Sequence, residues 1–349
     1  MTTLARAASA RAEQERRRYD VCCVGNALMD HLAYADLATV AALGLDHGGM
    51  TLVDIATTDQ LKAVIGNGRQ VPGGTVTNTA VGVASLGGRP VFIGAVATDE
   101  TGDQYAADLE AAGVHAVLQR FPFDPDGHEM ATGRCYVIVT PDAERTMATA
   151  LGVGGQLNAA GVDEAVIAQS MLVYFDGYVL DLPDARALVD RLLGAGRAAG
   201  TAVAVGLADS RLVERHRGVL EDLCREGVEY IFANESEILE FTKTSGVDRA
   251  VRAVARDDLV VAVTRGARGA TVGFDHCVVD VPAHLVENVA DVTGAGDLFA
   301  AGFCYGVTHG LDPVAAAELG SLAAAEVISH LGARPETSLA DLARARSLI

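Results

Sequence analysis

Short, almost wholly apolar runs recur along the chain, and they restrict its fold more than any other feature. They are "YDVCCV" from residue 19, "PVFIGAVA" (90–97), "MLVYFDGY" (171–178), "TAVAVGLA" (201–208), "EYIFANE" (229–235) and "LVVAVTRG" (259–266). Each is bounded by loop residues and shows no polar alternation, the pattern of a strand buried on both faces. Helical patterns lie between them at 78–88, 101–114, 184–200 and 236–246. Such alternation predicts an α/β fold, a mostly parallel central sheet with helices on both faces.

Two stretches break the alternation, 31–56 and 119–150. There, strand-like pieces such as "GGMTLVD" and "GRCYVIVTPD" occur without helices between them, and they are expected to pair as a small β-flap over the sheet's edge. The C-terminal part reads as helical, with Asp312 as N-cap, Pro313 as first helical residue and Gly332 as stop. No internal repeat or linker divides residues 19–349, which read as one domain. Residues 1–18 are Arg-rich without an apolar core and read as a solvated tail.

Charge narrows the partners. Asp+Glu 46 against Lys+Arg 27 gives a formal net charge of -19, which repels phosphate polymers, so nucleic acid is not an expected partner. A small polyanionic substrate then needs a local site of backbone amides, a metal ion or a few arginines. No apolar span reaches membrane length, and the 6 cysteines form no C-x-x-C pair, as expected of reduced thiols in a cytoplasmic protein.

The densest candidate site is "DVTGAGDLFAAGF" (291–303). Gly294, Ala295 and Gly296 precede a helical pattern, so their backbone sits at a helix N-terminus, where unpaired amides meet anions. Asp297 in the first turn is either a dipole-stabilising cap or a general base beside an anion hole. Gly73 and Gly74 precede Asn78 at another helix start, where a hydroxylated ligand can approach the backbone. Asn26 and Asp30 follow the first strand, at the carboxyl end where open α/β sheets bind ligands. Asn234 and Glu237 in "NESE", and Thr264, Gly266 and Gly269 in "TRGARG", also follow strands and suit water-bridged Mg²⁺ and phosphate oxygens. The chain has no G-x-S-x-G, GxxxxGK[ST] or G-x-G-x-x-G segment.

In order along residues 19–340, these stretches resemble the ribokinase-like (PfkB) carbohydrate and nucleoside kinase family. "DVTGAGD" is similar to its D-T-x-G-A-G-D signature, "PGGTVTN" to its G-G-x-x-x-N motif, "NESE" to N-x-x-E, and "TRGARG" to T-x-G-x-x-G. "TPDAERTMATALG" (140–152) and "LAAAEVISHLGARPE" (322–336) resemble bacterial adenosine-kinase-like members most. The resemblance implies a Rossmann-like core with a β-lid, ATP as donor and Mg²⁺ as cofactor. It assigns Asp297 as base and Gly294, Ala295 and Gly296 as the anion hole. Asn26, Asp30, Gly73, Gly74 and Asn78 would hold acceptor hydroxyls, and Asn234, Glu237, Thr264, Gly266 and Gly269 would organise Mg²⁺ and nucleotide. Arg145 would stand near the acceptor and the transferring phosphate. Asp291, Thr293 and Gly332 are compatible with the monovalent cation, K⁺, that some members bind. His47 stands where the likeness leads one to expect a lysine.

The expected activity is ATP-dependent phosphorylation of a ribose 5′-hydroxyl, that of adenosine, by a monomer or homodimer. A purine would use an apolar slot near Leu28, Met50 or Phe175, side chains that equally suit a core. A free-sugar kinase for ribose or fructose is the alternative enzyme. A catalytically silent nucleotide-binding regulator is the alternative of another class.

Overall fold

The computed structural model describes residues 17–66, 68–122, 130–142 and 144–349. In chain order its strands are β1 (Tyr19–Val24), β2 (Leu28–Tyr34), β3 (Met50–Leu52), β4 (Arg69–Gly73), β5 (Pro90–Ala97), β6 (His115–Phe121) and β7 (Gly133–Val139). They continue with β8 (Arg145–Ala150), β9 (Ser170–Asp176), β10 (Ala202–Gly206), β11 (Tyr230–Asn234), β12 (Val260–Thr264), β13 (Ala270–Phe274) and β14 (Cys277–Val281). A 9-stranded sheet has the order β14-β13-β12-β11-β10-β9-β1-β5-β6. It is parallel from β6 to β12 and antiparallel at the β12-β13-β14 edge. A 5-stranded mixed sheet, β3-β8-β7-β2-β4, forms the lid.

Strand β1 shows why the apolar runs are continuous. Val21 and Cys23 enter one core while Cys22 and Val24 enter the other, and all four are 0% exposed. With both pleat faces covered, neither set of alternate residues can be polar. The helices Thr75–Ser85, Ala295–Thr308 and Pro313–Val327 cover the first face. Ala185–Ala199, Ser210–Glu226, Glu235–Thr242 and Val247–Val254 cover the second. Ala295–Thr308 and Pro313–Val327 meet glycine to glycine: a Cβ on Gly302 would stand 2.6 Å from the Gly320 Cα. Close contact of small residues replaces large side chains here, in a chain that is only 5% aromatic.

Several sequence expectations change. The 31–56 stretch is not free of helices: Leu37–Ala42 lies within it and Ile55–Ile65 begins there. Asp36 and Asp54 cap them, each accepting from an amide three residues on, Thr39 and Thr57, at 2.7 Å. Residues 119–121 end β6 of the large sheet and are not lid, whereas β2 and β4 are lid strands that extend beyond the expected spans. Of the 119–150 span, 123–129 and 143 lie outside the described residues. Asp312 caps its helix as expected, but that helix ends at Val327. Gly332, expected as its stop, instead donates its amide to Asp291 Oδ2 at 2.8 Å.

Most of the 1–18 segment lies outside the described residues. Arg17 at its end is held against the body, donating to the carbonyls of Ala168 (2.9 Å), Ser170 (2.7 Å) and Ala199 (2.7 Å). The 6 cysteines are free, and only Cys277 is exposed. No helix among the described residues is long and apolar enough to cross a membrane.

Candidate active site

The parallel strands end their carboxyl termini along one rim, and the loops that leave them form an open cleft of ≈ 110 Å³. Asp176 from β9, Gly206 from β10, Asn234 from β11 and Thr264 from β12 reach it, opposite Gly296 and Asp297. Sheet topology alone therefore gathers strand-end residues from distant parts of the sequence.

Gly294 is the N-cap of the helix Ala295–Thr308, with φ 79. A Cβ there would also come within 2.7 Å of Ala333, so both backbone conformation and packing call for glycine. The Ala295 amide is spent on the Val292 carbonyl at 3.3 Å. Among the described residues the Gly296 and Asp297 amides have no acceptor, and Gly296 has open space where a side chain would be. Of the expected set, Gly294 and Gly296 thus keep amides without an acceptor among the described residues, and Asp297 adds a further one.

Asp297 turns away from its own helix. Its Oδ2 accepts from Asn78 Nδ2 at 2.9 Å, and its carbonyl accepts from Thr79 Oγ1 at 3.1 Å. The side chain thus bonds another helix, Thr75–Ser85, which a mere N-cap would not do. Burial pushes its carboxyl up to about 7, the Asn78 amide opposes the rise, and the Asp176 and Asp30 charges add to it.

In the lid, β2 pairs antiparallel with β4, and the Asp30 carboxylate lies over Gly73, where any Cβ would overlap it. Burial pushes Asp30 up to about 7, against the Arg334 and Arg145 charges. Gly74 has φ 99, and a Cβ on it would approach the Asn26 carbonyl to 2.5 Å. Among the described residues the buried Asn26 Oδ1 has no hydrogen-bond donor, so it can accept from a ligand hydroxyl.

Arg145 projects from lid strand β8 to the signature loop, where its guanidinium pairs with Asp291 and donates to Thr293 Oγ1. Asp291 also accepts from the amides of Thr293 (2.9 Å) and Gly332 (2.8 Å). The three residues considered for a monovalent cation thus meet around a carboxylate already matched by an arginine and N–H donors. Asn234 and Glu237 form a capping box: Glu237 Oε2 accepts from the Asn234 amide at 2.9 Å, and Asn234 Oδ1 accepts from the Glu237 amide at 2.9 Å. Burial raises Glu237 to about 7. Thr264 lines the cleft, whereas Gly266 and Gly269 shape the β12-β13 turn and do not line it.

Phe175 is 0% exposed on the opposite face of β9 and belongs to the second core, so it cannot form a purine slot. Its neighbours Tyr174 and Asp176 face the cleft instead. Leu28 is half-buried and Met50 is exposed, on lid strands β2 and β3. His47 also belongs to the lid region, its Nε2 lying 3.3 Å from both Thr140 Oγ1 and Asp142 Oδ2.

Sequence reasoning missed Asp176, which accepts from Thr75 Oγ1 and from the Tyr178 amide (3.1 Å) and is raised by burial to about 6. Its position at a strand's carboxyl end was the available signal. It also missed Arg334, which no strand end marks.

The pfkB family carbohydrate kinase pattern matches residues 20–339. Among solved structures, a probable sugar kinase from Rhizobium etli CFN 42 is 35% identical, with TM-score 0.87 over 95% of this chain and 100% of that one. The adenosine kinase from Sinorhizobium meliloti is 38% identical, with TM-score 0.86 over 94% of this chain and 99% of that one. The bifunctional protein HldE of Bradyrhizobium sp. (strain ORS 278) is 26% identical over 92% of this chain, which spans 62% of that relative's length. From the family match and the whole-chain likeness to solved kinases it follows that the chain belongs to the pfkB family of carbohydrate kinases, phosphotransferases whose acceptor is an alcohol.

Proposed function

We propose that the chain transfers the γ-phosphoryl group of ATP to the ribose 5′-hydroxyl of adenosine. The observation that carries the chemistry is Asp297, a carboxyl raised to about 7 beside two unspent helix-start amides. A base with that affinity is ionised in a large fraction of molecules near neutrality yet still holds a proton well. The likeness to the Sinorhizobium adenosine kinase supports the nucleoside as acceptor.

In this reading Asn26 Oδ1 and Asp30 accept from the sugar's hydroxyls and fix the ring. Asp297 takes the proton of the attacking hydroxyl as the hydroxyl oxygen bonds to the γ-phosphorus and the bond to the β,γ-bridging oxygen breaks, ADP leaving, and Asn78 keeps the carboxylate aimed. The Gly296 and Asp297 amides and the Arg145 guanidinium face the negative charge that develops. Kinases of this family use ATP with Mg²⁺, and the ion, when bound, neutralises and orients phosphate oxygens. Among the described residues no group of three or more His, Cys, Asp or Glu forms a metal cage. Asn234 and Glu237, which line the cleft, would reach the ion through water. Because Arg145 already compensates Asp291, turnover is expected to be independent of K⁺.

The test is ADP release over a panel of nucleosides and free sugars, with and without K⁺. Turnover of adenosine with ribose and fructose silent supports the proposal, and the reverse overturns it. The likeness to the Rhizobium probable sugar kinase favours the free-sugar reading as the second. ATP binding without ADP release from any acceptor would mark a silent regulator.

A further inference from the structure

Arg334 carries buried donors that no acceptor fills among the described residues. Its Nη1 donates to Asp108 Oδ2 at 2.6 Å, while Nε and Nη2 are buried and have no acceptor. Those two nitrogens form one edge of the guanidinium, the fork that takes two oxygens side by side. The side chain is 15% exposed, so water reaches the group poorly.

Two chains of contact place that edge. Asp108 lies one helical turn beyond Tyr105 on the helix Glu100–Ala111, on the same face. The Tyr105 hydroxyl donates to the Gly73 carbonyl at 3.1 Å, and Gly73 is the residue over which the Asp30 carboxylate lies. From the other side, Ala333 packs against Gly294 at the helix start. Buried Glu326 braces the loop by accepting from the amides of Glu336 (3.0 Å) and Thr337 (2.7 Å). Arg334 therefore stands between the helix start and Asp30. Of the neighbouring charges, its own does most to oppose the rise that burial imposes on Asp30, whereas the charges that act on Asp297 are those of Asp176 and Asp30. Together with the contacts through Asp108, Tyr105 and Gly73, this puts the arginine at the Asp30 end of the site.

We infer that Arg334 is a specificity-determining residue for the acceptor, its Nε–Nη2 edge donating to the two oxygens of a vicinal diol whose hydroxyls donate to Asp30. A hydroxyl both gives and accepts a hydrogen bond, so a carboxylate and a guanidinium fork facing each other are complementary to a diol and to neither deoxy form. The inference rests on the proposed placement of the acceptor against Asp30.

The test is calorimetric binding of adenosine, 2′-deoxyadenosine and 3′-deoxyadenosine to the full-length protein, which needs no turnover, together with KM for ATP. Wild type is expected to favour adenosine about 10- to 100-fold over either deoxy form. Arg334→Gln is expected to weaken adenosine by about that factor, leave the deoxy forms within about threefold, and leave KM for ATP unchanged. Equal weakening of all three ligands by Arg334→Gln, reproduced by Asp108→Asn, would show a structural brace and overturn the inference, as would full discrimination retained by Arg334→Gln. If wild type binds ribose but no nucleoside, the adenosine reading fails alone, and the same comparison with ribose and 2-deoxyribose still decides the role of Arg334.

Discussion

Asp297 acts through the company it keeps. The same carboxyl on an exposed first turn would titrate in the ordinary range, but burial raises it to about 7 while Asn78 donates to it at 2.9 Å. Two outcomes follow for turnover. Asp297→Asn keeps the shape but cannot take a proton, and kcat is expected to fall about 10²- to 10⁴-fold; near-normal turnover would remove it from the mechanism. Asn78→Ala removes a donor that favours the ionised form. The acidic limb of the kcat/KM profile should then move to higher pH, and an unmoved limb would mean that the amide does not tune the base.

At the scale of elements, the site depends on a helix start and a lid strand. Gly294 combines φ 79 with a close approach to Ala333. Gly294→Ala is expected to cost about 1–3 kcal/mol of stability, read from denaturant midpoints, and to lower kcat more than KM because the amides beside it move. Strand β8 brings Arg145 across to Asp291 and Thr293, so the lid is tied to the signature loop by one side chain. Arg145→Gln should leave adenosine binding nearly intact while kcat falls, since in the proposed reaction the lost charge faces the phosphoryl group. A loss confined to acceptor affinity would place Arg145 on the sugar instead.

For the whole molecule, the fold gathers acid at the cleft of a chain whose net charge is already -19. Asp30, Glu237 and Asp297 are raised to about 7 and Asp176 to about 6. A raised carboxyl holds its proton more tightly when folded. Its contribution to stability is therefore complete below the unfolded value and is lost as pH rises through the folded one. Asp297→Asn should accordingly match wild type near pH 4 and become progressively more stable than wild type up to pH about 8. Melting temperatures measured across that range check this, and a gap that closes with rising pH would refute the raised value.

The continuous apolar runs determined the α/β class by themselves, because a strand buried on both faces leaves no polar position to obscure it. The glycine-rich and acidic motifs marked the strand ends and helix starts in order, since loops leaving parallel strands share one rim. Lid boundaries were less legible: β2 alternates half-buried and buried positions, and the caps Asp36 and Asp54 add short helices between its strands. Only tertiary structure decided that Phe175 faces a core while Asp176 faces the cleft, because adjacent residues of a strand point to opposite faces and the covering helices choose between them. Only it brought Arg334 to Asp108, 226 residues away in sequence, leaving one edge of the guanidinium spent and the other open. A side chain's chemistry is written in its own residue, but whether its donors are filled depends on partners that the folded chain alone places beside it.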